Sequence, residues 1–108
     1  MNIHSSSIVS EKAKIDPSVK IGPFCIIGDN VEIKSGTSIL SHAVIKGPTV
    51  IGKDNVIYQF STIGEDTPDK KFKGENTKLI IGDNNIFREG VTVHRGTIQD
   101  AELNQIGD

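Results

Sequence analysis

From residue 3 onward an aliphatic side chain returns at every sixth position: Ile3, Val9, Ile15, Ile21, Ile27, Ile33, Ile39, Ile45, Ile51, Ile57 and Ile63. The fifth place of the same hexads holds only small or compact residues, namely Ser7, Ala13, Val19, Cys25, Val31, Thr37, Ala43, Thr49, Asn55 and Ser61. Glycine follows the aliphatic in Ile21-Gly22, Ile27-Gly28, Ile51-Gly52, Ile63-Gly64 and Ile81-Gly82. The pattern predicts a short strand with one inward aliphatic, a tight corner marked by glycine, and a small fifth side chain tucked under the turn, where a larger one would clash. Three strands then close a triangular coil of about 18 residues, and coils stack at the roughly 4.8 Å strand spacing. Each face becomes a parallel sheet with an isoleucine ladder inside. A period of six does not supply the apolar spacing of about 3.6 that an amphipathic helix needs. No segment between strands is long enough for a crossover helix either, which excludes an ordinary βαβ protein.

Composition agrees. Of the branched aliphatics, 17 are Ile and 8 Val against 3 Leu, so the β-branched shape that favours strands dominates. With 108 residues, four Phe, one Tyr and no Trp, the chain is one small domain whose core is filled by many similar aliphatic side chains. Twelve Lys and Arg against fourteen Asp and Glu leave no electrostatic footprint for nucleic acid or an anionic membrane. No uncharged apolar run approaches the roughly 20 residues of a membrane span, and the N-terminus lacks the layout of a signal peptide. The chain reads as soluble and cytoplasmic. Cys25 is the one cysteine and occupies a small corner slot, so it reads as packing.

The repeat breaks after Ile63-Gly64, where a charged stretch runs to Lys78 before Leu79-Ile80-Ile81-Gly82 resumes it. Reading straight through would place Asp69 and Glu75 in inward slots, and unpaired charges in an aliphatic core cost several kcal/mol each. An external loop at about 65–78 is therefore expected, with the coil bridging directly from the Ile63 hexad to the Ile81 hexad. The hexad of Val93 then lies above that of Ile63, and His94 above Gly64. A histidine, carboxylates and lysines converge at one corner. The competing reading is a solvated histidine beside a tolerated insertion, although loops of this length are uncommon unless functional or disordered. A second, smaller break at 99–105 reduces the stack to about five coils. His4 and His42 fall on a different face from His94 and are roughly 10 Å apart, so a metal site survives only across a subunit interface. There is no cysteine pair, strained serine elbow or phosphate-cradling loop.

The hexapeptides Ile21-Gly22-Pro23-Phe24-Cys25-Ile26 and Ile51-Gly52-Lys53-Asp54-Asn55-Val56 resemble those of the left-handed parallel β-helix family. The hand is implied by that resemblance alone, since parallel crossovers are as a rule right-handed. The stretch from Tyr58-Gln59-Phe60 to Arg88-Glu89-Gly90-Val91-Thr92-Val93-His94-Arg95-Gly96-Thr97 resembles the hexapeptide-repeat acyl-[acyl-carrier-protein]–UDP-N-acetylglucosamine O-acyltransferases, which open lipid A biosynthesis. The resemblance spans the whole chain. It implies a cytoplasmic homotrimer with active sites in clefts between subunits. A 3-hydroxyacyl group would pass from an acyl carrier protein thioester to the sugar 3-hydroxyl of UDP-N-acetylglucosamine, with a histidine as general base and no cofactor. Position by position, Asp69 and Lys71 match substrate-contacting loop residues and His94 matches a cleft histidine. Pro68 stands where relatives carry Gln or Asn, and Lys70 where they carry Leu. The general base is expected beyond Asp108, as are further coils and a helical region that binds the carrier protein. Residues 1–108 are thus expected to be a partial β-helix domain, inactive alone. The bare repeat leaves open an acetyl-CoA-dependent acetyltransferase, a zinc hydratase with interface histidines, or a non-catalytic solenoid scaffold.

Overall fold

The computed structural model describes residues 2–65, 78–95 and 103–106. Among the described residues, fifteen short strands form three five-stranded parallel sheets. The first face stacks β1 (Asn2–Ile3), β4 (Lys20–Ile21), β7 (Ser38–Ile39), β10 (Val56–Ile57) and β13 (Ile86–Phe87). The second stacks β2 (Ile8–Val9), β5 (Ile26–Ile27), β8 (Val44–Ile45), β11 (Thr62–Glu65) and β14 (Thr92–His94). The third stacks β3 (Lys14–Ile15), β6 (Val31–Ile33), β9 (Thr49–Ile51), β12 (Lys78–Ile81) and β15 (Leu103–Ile106). Five coils result, as the hexad count predicts.

The coil winds left-handed. Every strand rejoins its own sheet one coil later, as β4 does beside β1, so the coil is an exception to the right-handed rule for parallel crossovers. The corners correct one expectation. Except at Gly64, the residue with positive φ is not the glycine after the aliphatic but the fourth of the hexad: Phe24, Asn30, Gly36, His42, Asp54, Phe60, Asn84 and Gly90 all lie between 56° and 76°. Six of these eight carry a side chain, against a left-handed cost of about 1–2 kcal/mol each. At these eight corners the bend that the stacked geometry imposes overrides residue preference.

The first-position ladder is the core. Ile27, Ile33, Ile39, Ile45, Ile51, Ile57 and Ile63 are almost wholly buried, and each pairs with the equivalent residue of the coil beneath. Stacked hexads are 18 residues apart in the lower coils, as in Ile39 on Ile21. Across the break, Ile81 stacks on Ile51 and Val93 on Ile63, thirty residues on. The coil therefore bridges the charged stretch instead of absorbing it. Of the loop expected at about 65–78, Glu65 closes β11 and Lys78 opens β12, while 66–77 lie outside the described residues. Ile106 stacks on Ile81, twenty-five residues on, which registers the second, shorter break.

The fifth-position residues do more than fit. Asn55, fully buried, donates from Nδ2 to the Gly82 carbonyl at 2.8 Å and accepts at Oδ1 from the Asn85 N–H at 2.7 Å. Its own N–H donates to Thr37 Oγ1, whose hydroxyl donates to the Gly52 carbonyl. Ser7, Cys25 and Ser61 make comparable contacts at the corner between the first and second faces, with the Cys25 thiol donating to the Leu40 carbonyl at 3.0 Å. Each compact polar side chain supplies the corner backbone with partners that a two-residue strand cannot. Replacing Asn55 by Ala strands the Gly82 carbonyl and the Asn85 N–H, and should lower stability by about 2–4 kcal/mol. A urea midpoint shift no larger than that of an exposed control such as Lys20→Ala would contradict this role.

Candidate functional site

The second and third faces meet at the corner that follows β11 and, one coil higher, β14; residues 66–77 and 96–102, which come next in each case, lie outside the described residues. The base of the corner is regular. Lys46 follows the buried Ile45, and its N–H donates to the Ile63 carbonyl above it. One coil higher the regularity ends at Gly64, whose φ is +84°. A Cβ there would lie 2.1 Å from the Lys46 carbonyl oxygen and 2.6 Å from Thr49 Oγ1, so only glycine fits. The left-handed turn inserts Gly64 as a bulge in β11, and the pairing with β14 slips accordingly: Ile63 faces Val93, but Glu65, not Gly64, faces His94. The stacking of His94 over Gly64 expected from the hexad frame is thus corrected by one residue.

The bulge places four polar side chains at the corner. His94 is exposed at the end of β14. Glu65 lies opposite it and forms an ion pair with Lys46, Oε1 to Nζ at 2.7 Å. Both partners are partly exposed, so this pair contributes at most about 1 kcal/mol. Arg95 is buried. Its backbone N–H donates to the Glu65 carbonyl at 2.8 Å and its Nε to the Gly64 carbonyl at 3.1 Å. Burial pushes its pKa below the usual guanidinium value, and the neighbouring Glu65 charge opposes that shift. The corner thus presents an imidazole, a carboxylate and an ammonium to solvent above a buried guanidinium, a set suited to hydrogen-bonding a hydroxyl-rich or anionic ligand.

Of the residues singled out from the sequence, His94 is at this corner, while Asp69 and Lys71 lie outside the described residues. His4 and His42 are elsewhere: His4 Nδ1 contacts Ser6 Oγ at 2.8 Å, and the His42 ring packs between Phe24 and Phe60 with centroids 5.2 and 5.1 Å away. Among the described residues no three His, Cys, Asp or Glu side chains converge as a metal set would. Also among them, no helix is long and apolar enough to cross a membrane. Lys46, Glu65 and Arg95 were not singled out. Arg95 had the clearest signal, because it follows His94 directly in the block that carries the resemblance.

Stacked coils of hexapeptides with an interruption at one corner define a hexapeptide-repeat β-helix protein. Residues 1–102 match the family model of the GMPPB C-terminal domain, and the chain belongs to that family. It is also similar to acyl-[acyl-carrier-protein]–UDP-N-acetylglucosamine O-acyltransferases. The protein of that name from Saccharophagus degradans is 60% identical over 106 residues, covering 98% of this chain and 41% of the relative. The one from Psychrobacter sp. is 54% identical over 105 residues, covering 97% and 40%. The solved structure of LpxA from Acinetobacter baumannii superposes with a TM-score of 0.95 at 50% identity, covering 98% of this chain and 41% of that one. The chain spans about two fifths of the length of these relatives.

The bulge gives the site its own test. Gly64→Ala should cost about 2 kcal/mol or more and displace the Glu65 and His94 amide resonances. Gly90→Ala, at φ +71° but with open space around the added Cβ, should cost only about 1 kcal/mol and leave those resonances in place. Equal effects of the two substitutions would contradict the close approach at Gly64.

Proposed function

We propose that this chain is the part of an acyltransferase that carries its substrate-contacting corner, in a protein that moves a 3-hydroxyacyl chain from acyl carrier protein to UDP-N-acetylglucosamine, the opening step of lipid A synthesis. The observation that carries the reading is 60% identity along nearly the whole chain to a protein bearing that name. The pairing of His94 with Glu65, the residue just before 66–77 in the sequence, supports it.

In this reading Asp69, Lys71 and His94 hold the nucleotide sugar. A histidine beyond Asp108 takes the proton of the 3-hydroxyl, because a sugar hydroxyl is a weak nucleophile until deprotonated and imidazole does this near neutral pH. The oxygen attacks the thioester carbonyl, the C–S bond breaks as the ester forms, and the proton passes to the departing carrier thiol. No cofactor is needed beyond the carrier thioester. Further coils and a helical carrier-binding region complete the protein, which works in the cytoplasm.

The active assembly is a homotrimer. Exposed Ile8 and Ile26 on the second face, with Phe24 and Phe60 at its edge 59% and 64% exposed, supply an apolar surface for a neighbouring subunit to cover. Sites in clefts between subunits then bring the corner of one chain against the next.

The test is a transfer assay on the full-length protein with a 3-hydroxyacyl carrier thioester. Wild type should acylate UDP-N-acetylglucosamine, His94→Ala and Lys71→Ala should each lower kcat/KM by about tenfold or more, and residues 1–108 alone should be inactive. Unchanged kcat/KM in both variants, or turnover by residues 1–108, would overturn the assignment.

A further inference from the structure

Arg95 is a charged side chain buried at the edge of an aliphatic core, and its described hydrogen bonds run to backbone rather than into solvent. A guanidinium is expensive to bury, and the corner could be closed without one. The Gly64 carbonyl explains the place of the side chain, and the Glu65 carbonyl that of its backbone. Gly64 and Glu65 form the bulge, where the register with β14 slips. Arg95 satisfies both, the Glu65 carbonyl through its backbone N–H and the Gly64 carbonyl through Nε. The planar guanidinium holds the carbonyl in a fixed direction, which a flexible ammonium would not do. The Glu65 charge offsets its burial.

His94 is the residue before Arg95 and pairs with Glu65 across the bulge. Anchoring Arg95 to β11 therefore anchors the backbone on which the imidazole stands. We propose that Arg95 is a positioning residue: it pins the Gly64–Glu65 bulge to β14 and so fixes His94 against Glu65 and Lys46 for contact with the nucleotide sugar. This rests on the acyltransferase reading for the identity of the ligand, but not for the clamp itself.

The experiment uses the full-length protein with Arg95→Ala and Arg95→Lys. Hydrogen exchange is followed at the ends of β11 and β14, together with the melting temperature and the separate kcat and KM for UDP-N-acetylglucosamine. In Arg95→Ala, exchange at Glu65 and His94–Arg95 should rise at least tenfold while that at Ile45 and Ile51 does not. KM for the nucleotide sugar should rise about tenfold with kcat changed less than threefold. Arg95→Lys should recover part of the KM and little of the protection, since it keeps the charge and loses the fixed Nε direction. Unchanged local exchange overturns the clamp; so does exchange that rises equally through the core, which marks a general loss of stability. Raised exchange with an unchanged KM overturns the positioning role. If wild type transfers no acyl group, the acyltransferase reading fails, and the exchange measurement still decides the clamp.

Discussion

The structure depends on the register of one buried column. A two-residue strand offers few hydrogen bonds and little area, so no hexad is stable alone; it persists because its inward aliphatic packs on the equivalent residue of the coils above and below. Side chains along a strand alternate between faces, so a slip of one residue would turn the column outward and bring residues such as Lys20, Glu32 and Lys46 in. Ile27, Ile45 and Ile63 are buried to within 1% of completely, and that near-total exclusion of water holds every other position in the coil to its place. An insertion is then tolerated only where the column is not interrupted, which means at a corner.

Both breaks in the repeat fall between the second and third faces, and the local chemistry follows. Beneath that corner the stack is regular and its polar groups are satisfied by compact side chains such as Thr49, whose hydroxyl donates to the Lys46 carbonyl at 2.6 Å. Above it a glycine turns left-handed, the ladder slips by one, and charged groups gather where regular pairing stops. The apolar ridge of Phe24, Phe60, Ile8 and Ile26 is on a different edge of the coil. A rigid scaffold thus separates the surface suited to packing from the corner suited to polar ligands.

Much of the fold was legible from spacing. The period of six identifies Ile3 through Ile63 as one inward column, and the impossibility of burying Asp69 and Glu75 identifies the break. Pairing of Ile81 with Ile51 and of Val93 with Ile63 follows from those two facts. Periodicity records which residues point inward and is silent on backbone dihedrals, so it did not locate the positive φ at Phe24, His42 and Phe60, nor the hand of the coil. The one-residue bulge was hidden for a related reason: Gly64 sits in the place that Gly22 and Gly28 hold in regular hexads, and only its φ separates it from them. Arg95 was obscured because a basic residue beside an excursion reads as solvated until the two carbonyls it binds are seen.

The most direct test of the corner as the ligand site uses its histidine against the two that lie elsewhere. With histidine-labelled full-length protein, UDP-N-acetylglucosamine should shift the imidazole resonances of His94 in a saturable manner and leave those of His4 and His42 in place. Saturable shifts at His4 or His42 with none at His94 would show that the ligand binds elsewhere and that the convergence at this corner is only structural.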